Sequence, residues 1–307
     1  MSTFIRTNCP RDCYDGCGII AEIRDHASPR ILGDPKHPVS KGRLCSKCAI
    51  AYNGVWQDDT ARLNFPQRRI GKKGDAIFER VTWDEALSEI SQNLTDVIDS
   101  RGASSIIHTH YSGTLSLMAY QFPNRFFNYL GASEVDPDSI CNAAGHVAWH
   151  ILYGNSVMGF DPRTAKDAKC IVVWGANPSH SAPHAHEHWL TESPAKIVVV
   201  DPVRSGTAKA ADRHLQLRPG TDAALAFGLL NVLQTLGAFD NAYIRATTVG
   251  ADEVMQSIEA ATPEWTAEQT GLSVDDIVEV AKLYAAGPAM LWCGQGLQRQ
   301  PRGGNIM

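Results

Sequence analysis

The feature that most constrains this 307-residue chain is a run of thiols near its start. Cys9, Cys13 and Cys17 are each separated by three residues, and Cys45 and Cys48 follow after a gap of 27 residues. The surrounding segment, rich in Cys, Gly, Pro and charge, has little room for an apolar core and needs a staple. Soft thiolates gathered in this way bind iron–sulfur clusters or zinc, because either centre takes four sulfur ligands in a roughly tetrahedral array. Structural zinc favours two separated pairs, whereas three cysteines on one tight loop plus a distant one suit a cubane. Five thiols compete for the four places.

The rest of the composition bears on what the thiols serve. With 44% hydrophobic and 20% charged residues the chain reads as globular, long enough for two or more domains. A net charge of −5 gives no global pull toward nucleic acid or anionic lipid, which leaves a small-molecule substrate as the expectation. No apolar run approaches the roughly 20 residues that cross a bilayer, and the N-terminus has no targeting pattern, so a cytoplasmic location and no membrane span are expected. A reducing compartment favours ligand thiolates over disulfides.

Local patterns sketch the body. Gly18 to Ile23 reads as a strand, and Thr82-Trp-Asp-Glu85 as a capping box. Leu87, Ile90, Leu94, Val97 and Ile98 mark one face of a helix ending near Gly102, followed by a buried strand over Ser104 to His108. Cys170 to Trp174 and Lys196 to Val200 are β-branched runs separated by a helix-length stretch, hence a βαβ unit and a parallel sheet. Thr221 is expected to cap a helix from Asp222 to about Leu236, and Ser273 another that stops at Gly287-Pro288. Ala289 to Gly296 reads as a strand entering a Gly-rich loop. The expected fold class is α/β: a small N-terminal iron–sulfur domain (1–60), then doubly wound parallel-sheet α/β domains. Residues 61–135 with 289–307 would form the first, incomplete, and 136–288 a Rossmann-like one. Cys170 and Cys293, inside apolar runs, read as core.

With these residues in view the chain resembles the dimethyl-sulfoxide-reductase superfamily of molybdopterin oxidoreductases, in its N-terminal portion. The resemblance rests on Cys9-Pro-Arg-Asp-Cys13-Tyr-Asp-Gly-Cys17, Gly42-Arg-Leu-Cys45-Ser-Lys47, Arg62-Leu-Asn-Phe-Pro66 leading to Val81-Thr-Trp-Asp-Glu-Ala-Leu87, Trp174-Gly-Ala-Asn-Pro178, Val200-Asp-Pro202 and Arg218-Pro-Gly-Thr-Asp222. It implies a [4Fe-4S] cluster on Cys9, Cys13, Cys17 and Cys45, with Cys48 spare and standing where the family usually has glycine. It also implies a molybdenum or tungsten ion held by two molybdopterin guanine dinucleotides, with Lys47 between cluster and pterin and Cys141 as metal ligand.

Further expectations attach to that cofactor. His146 and His150, one turn apart after Cys141, could accept a substrate proton, although His at such positions is as often structural. Asp201 ends a parallel strand where doubly wound folds put the acid that binds ribose hydroxyls, with Asn177 and Arg204 at the same crevice. Gly220, Thr221 and Asp222 offer a helix N-terminus and a carboxylate for phosphate and guanine, or plain helix capping. Gly294 and Gly296 resemble a second pterin-contacting loop. His180, His184, Glu187 and His188 could share a helical face and bind metal, or form a solvated face. The function implied is a two-electron oxidoreductase with a small-molecule substrate and a redox partner protein or subunit. The rivals are a non-catalytic electron-transfer or structural subunit, and an inactive truncated fragment, since family members continue into a C-terminal β-barrel domain absent from this chain.

Overall fold

The computed structural model describes residues 2–111, 117–156, 159 and 161–307, the side chains of 117–121 excepted. The chain divides into two units, Met1–Asp138 and Ser139–Met307.

In the first unit, Thr3, Phe4, Ile5 and Thr7 favour extended backbone in β1 (Ser2–Asn8). It pairs antiparallel with β2 (Gly18–Arg24), itself antiparallel to β3 (Ala27–Gly33). The register ends on Asn8 opposite Gly18, so Cys9 and Cys17 come next, and the Cys9 N–H donates to the Cys17 carbonyl at 2.8 Å. Helix α1 (Ser46–Tyr52) starts with Cys45 as its N-cap residue. Cys9, Cys17, Ile19, Cys48, Ala51 and Tyr52 form the buried core of this segment, which is as much sulfur as hydrocarbon.

A hairpin of β4 (Gln67–Arg69) and β5 (Phe78–Arg80) leads into α2 (Trp83–Arg101). The expected capping box is present: the Glu85 N–H donates to Thr82 Oγ1 at 3.2 Å and the Thr82 N–H to Glu85 Oε2 at 2.8 Å. Gly102, at φ +82°, ends the helix where an L side chain would be strained. Strand β6 (Ile107–His108) and, after α3 (Leu117–Leu130), β7 (Ser133–Glu134) pair in parallel. The strand expected over Ser104 to His108 is thus shorter and less buried than its composition suggested. Ala103–Ser105 is a 3-10 turn and Ile107 is 62% exposed, because this two-stranded sheet is too narrow to cover it.

The second unit opens with α4 (Ala143–Tyr153) and continues through β8 (Cys170–Trp174), short helices α5 (Pro178–Ser181) and α6 (Pro183–Ala185), and a π-type turn over His186–Thr191. Then come β9 (Lys196–Val200), α7 (Gly206–Ala210), β10 (Arg213–Leu215) and α8 (Asp222–Thr235). Helices α9 (Asn241–Thr247), α10 (Ala251–Ile258), α11 (Pro263–Thr270) and α12 (Val274–Ala285) precede β11 (Ala289–Cys293) and α13 (Gly303–Ile306). The four strands are parallel in the order β10-β9-β8-β11. Val172, Trp174, Val198 and Val200 face Leu225, Val232, Ile277 and Val280 on one side. Ile171, Val173, Ile197 and Val199 face Ala182, Ala185 and Leu190 on the other. Both faces are covered, which is why these strands read as continuous apolar runs.

Two expectations are corrected here. Residues 289–307 belong with this sheet, not with 61–135, since β11 pairs with β8 along its whole length. Thr221 does not cap α8: at φ −109° and ψ 14° its backbone is not extended, and its hydroxyl donates instead to the Arg218 carbonyl at 2.7 Å. Among the described residues no helix is long and apolar enough to cross a membrane.

Candidate cofactor sites

The β1–β2 hairpin carries Cys9, Cys13 and Cys17 around one loop, and the start of α1 brings Cys45 and Cys48 to it. Cys9 Sγ lies 3.4 Å from Cys48 Sγ and 3.1 Å from the Tyr52 hydroxyl. Burial, then Asp15 and the sulfurs of Cys13, Cys9 and Cys45, push the Cys17 thiol up to about 12. Burial likewise raises Cys13, opposed by a backbone hydrogen bond from Asp15 and by the nearby Lys47 cation. Cys48 is raised by burial and by hydrogen bonds with Cys9 and Cys45. All eight cysteines are free thiols. Such a crowd of buried sulfurs is unfavourable as bare thiolates, and suits a cationic metal centre that displaces their protons as it binds. The residues present therefore fit the expected cluster.

In the second unit, Cys141 lies half-buried just ahead of α4. The loop after β11 grips it: Arg299 Nη2 is 3.6 Å from Cys141 Sγ, and Arg299 Nη1 donates to the Ile140 carbonyl at 3.1 Å. The neighbouring Gln298 accepts from the Gly145 N–H at 2.6 Å and donates to Asn142 Oδ1 at 3.3 Å. His146 sits half-buried on the first turn of α4, while His150 is exposed and its Nδ1 lies 3.2 Å from the His146 carbonyl.

The remaining expected residues gather at the carboxyl ends of β8, β9 and β11, where open parallel sheets bind ligands. Gly175 follows β8 at φ +63° and its carbonyl accepts from the Gly296 N–H at 3.0 Å, while the Gly294 N–H donates to the Trp174 carbonyl at 2.7 Å. A Cβ on either Gly294 or Gly296 would collide with the Gly175 carbonyl, so these glycines are required by the contact between the two loops. Asp201 follows β9 directly and its carboxylate accepts from the Val203 N–H at 2.7 Å, with Arg204 exposed nearby. Gly220, at φ +88°, and Thr221 lead into α8.

Asn177 and Asp222 are engaged by other side chains. Asn177 Oδ1 accepts from the hydroxyls of Ser179 at 2.7 Å and Thr207 at 3.0 Å, and so ties the end of β8 to α7. Buried Asp222 accepts from the Trp174 indole N–H and from the Gln300 amide, both at 2.8 Å. Arg299, Gln298 and Gln300 were missed from sequence, although a run of long polar side chains just past a strand's carboxyl end was a usable signal.

Of the expected helical metal face, Glu187 and His188 group with Glu192, their ligand atoms within 4.8 Å of one another, whereas His180 Nδ1 meets Asn177 Nδ2 at 2.9 Å. A second group in the first unit was not foreseen: His110 Nε2 lies 2.6 Å from Glu134 Oε1, and the His108 ring stacks on His110 and on Phe127. One ligand atom from each of His108, His110 and Glu134 lies within 4.8 Å of the others.

Residues 62–307 match the molybdopterin oxidoreductase family and residues 2–55 the molybdopterin oxidoreductase Fe4S4 domain. A probable oxidoreductase YoaE of Bacillus subtilis is 34% identical over 97% of this chain and 44% of its own length. A nitrate reductase of Klebsiella oxytoca is 29% identical over 93% of this chain and 32% of its own. The chain thus spans less than half the length of these relatives. Its fold is that of acetylene hydratase from Pelobacter acetylenicus, with a TM-score of 0.75 and 23% identity, covering 98% of this chain and 42% of that one.

Proposed function

The chain belongs to the molybdopterin oxidoreductase family, and from that premise we propose that it serves a two-electron oxidoreductase working at a molybdenum or tungsten ion held by two molybdopterin guanine dinucleotides. The bound cofactor supplies the redox chemistry, and a [4Fe-4S] cluster on Cys9, Cys13, Cys17 and Cys45 carries single electrons. The chain's own residues orient and balance these groups. Cys141 offers the metal a soft sulfur donor, with Arg299 beside it to hold the side chain in place. His146, one turn into α4, takes or returns the substrate proton. Lys47 sets positive charge near Cys13, offsetting the negative charge that reduction adds. Asp201 and Arg204 serve ribose and phosphate. Gly220, Thr221, Asp222 and Asn177 shape the remaining nucleotide contacts, and the Gly294–Gly296 loop offers backbone to the pterin.

The observation that carries this reading is the sulfur core of the first unit, formed by the segment that matches the Fe4S4 domain. The names of the relatives, a nitrate reductase and an acetylene hydratase, support a small-molecule substrate. The proposed setting is cytoplasmic, with electrons passed to a redox partner protein or subunit.

A second reading, a non-catalytic electron-transfer or structural subunit, draws on Asn177 and Asp222, whose polar atoms already serve internal bonds. Metal analysis of the full-length protein, purified without oxygen, separates the two. About four irons with one molybdenum or tungsten per chain is expected. Iron alone would leave only the second reading, and a protein without iron would sink both.

A further inference from the structure

The thiol core holds one sulfur more than a cubane needs, and its surroundings give that sulfur a task. Cys48 and Tyr52 are four residues apart on α1 and so project from the same face of the helix. Both are buried, at 3% and 7% exposure, and both reach the same atom: Cys9 Sγ lies 3.4 Å from Cys48 Sγ and 3.1 Å from the Tyr52 hydroxyl. The Tyr52 ring is fixed by an edge-on contact with Trp56, centroids 4.9 Å apart at 64°. Arg11 lies over the same indole, 5.4 Å from its centroid. Next to this helix turn the Tyr52 carbonyl accepts from the Gln57 amide. The phenol is therefore held by packing that does not involve its hydroxyl.

A phenol and a thiol each carry one hydrogen to donate, and a metal-bound cysteinate has lone pairs to accept them. We propose that Cys48 and Tyr52 are positioning residues that donate hydrogen bonds to the Cys9 sulfur and thereby hold the reduction potential of the cluster up. The proposal rests on the reading of Cys9 as a cluster ligand. The physical cause is differential: reduction adds negative charge that spreads onto the ligand sulfurs, so a donor aimed at one of them stabilises the reduced cluster more than the oxidised one. The same arrangement accounts for the fifth thiol without making it a ligand. One electron enters the cluster on reduction, no bond to Cys9 breaks, and both hydrogens stay on their donors.

The test is an electron-paramagnetic-resonance redox titration of the full-length, cluster-loaded protein, comparing wild type with Tyr52→Phe, Cys48→Ala and the double variant. Phenylalanine keeps the ring against Trp56, so a merely structural role for Tyr52 leaves the potential where it was. The expected result is unchanged iron content in all four proteins, a midpoint shifted to more negative potential in each single variant, and a larger shift in the double. Equal midpoints in wild type and both single variants would overturn the proposal. Loss of iron in Cys48→Ala would overturn it differently, by making Cys48 a ligand. A wild-type protein that holds no iron defeats the cluster reading itself, and is recognised before any titration begins.

Discussion

Trp174 and Gln300 hold the Asp222 carboxylate between them, one hydrogen bond to each oxygen, in a setting only 8% exposed. The side chain therefore acts as a strap joining the end of β8, the start of α8 and the loop after β11. Replacing it by alanine strands a buried indole N–H, a loss of about 1–3 kcal/mol, while the Gln300 amide keeps the Leu297 carbonyl at 3.1 Å, so Asp222→Ala should lower stability by about 2 kcal/mol in urea unfolding. Asp222→Asn, which keeps an acceptor for Trp174, should lose less. At this scale the sequence was only partly legible. The family motif drew attention to Asp222, but its partners lie 48 and 78 residues away, and partnerships of that range leave no local pattern. Arg299 was missed for the same reason: Cys141 is 158 residues from it. The cysteines were legible because their signal is spacing, which short loops convert directly into proximity.

Elements were easier to read wherever one local rule dominated. The capping box at Thr82 and Glu85 and the Gly102 stop bound α2 as expected, and Thr82→Ala should cost about 1 kcal/mol of stability through loss of the cap. Strand β8 displays a stronger effect. Ile171 is fully buried between its sheet and the α6 side, so Ile171→Ala should destabilise by about 2–5 kcal/mol. Leu291, on edge strand β11, is 42% exposed, and Leu291→Ala should fall well below that in the same unfolding measurement. Reading failed where a local rule had a rival. Ser104 to His108 has the composition of a buried strand, but only Ile107 and His108 pair, because a two-stranded sheet provides no second layer. β11 was assigned to the wrong body because pairing partners, unlike strand propensity, are not written in a strand's own residues.

For the whole molecule, the two units keep their shape by different means. The second encloses aliphatic side chains on both faces of a parallel sheet, whereas the start of the first encloses thiols. Chelating iron out of the loaded protein should therefore remove hydrogen-exchange protection from residues 2–55 and leave the amides of β8 and β9 protected. Equal loss of protection in both places would show that the sulfur core does not depend on metal. The hairpin has one more consequence. With Asn8 opposite Gly18, the loop that holds Cys9, Cys13 and Cys17 is closed by the pairing of β1 with β2. Short-range closure is entropically cheap, and each lengthening adds only slowly to it. The loop is therefore shaped by short-range pairing, and Cys45 and Cys48 join it only through the start of α1.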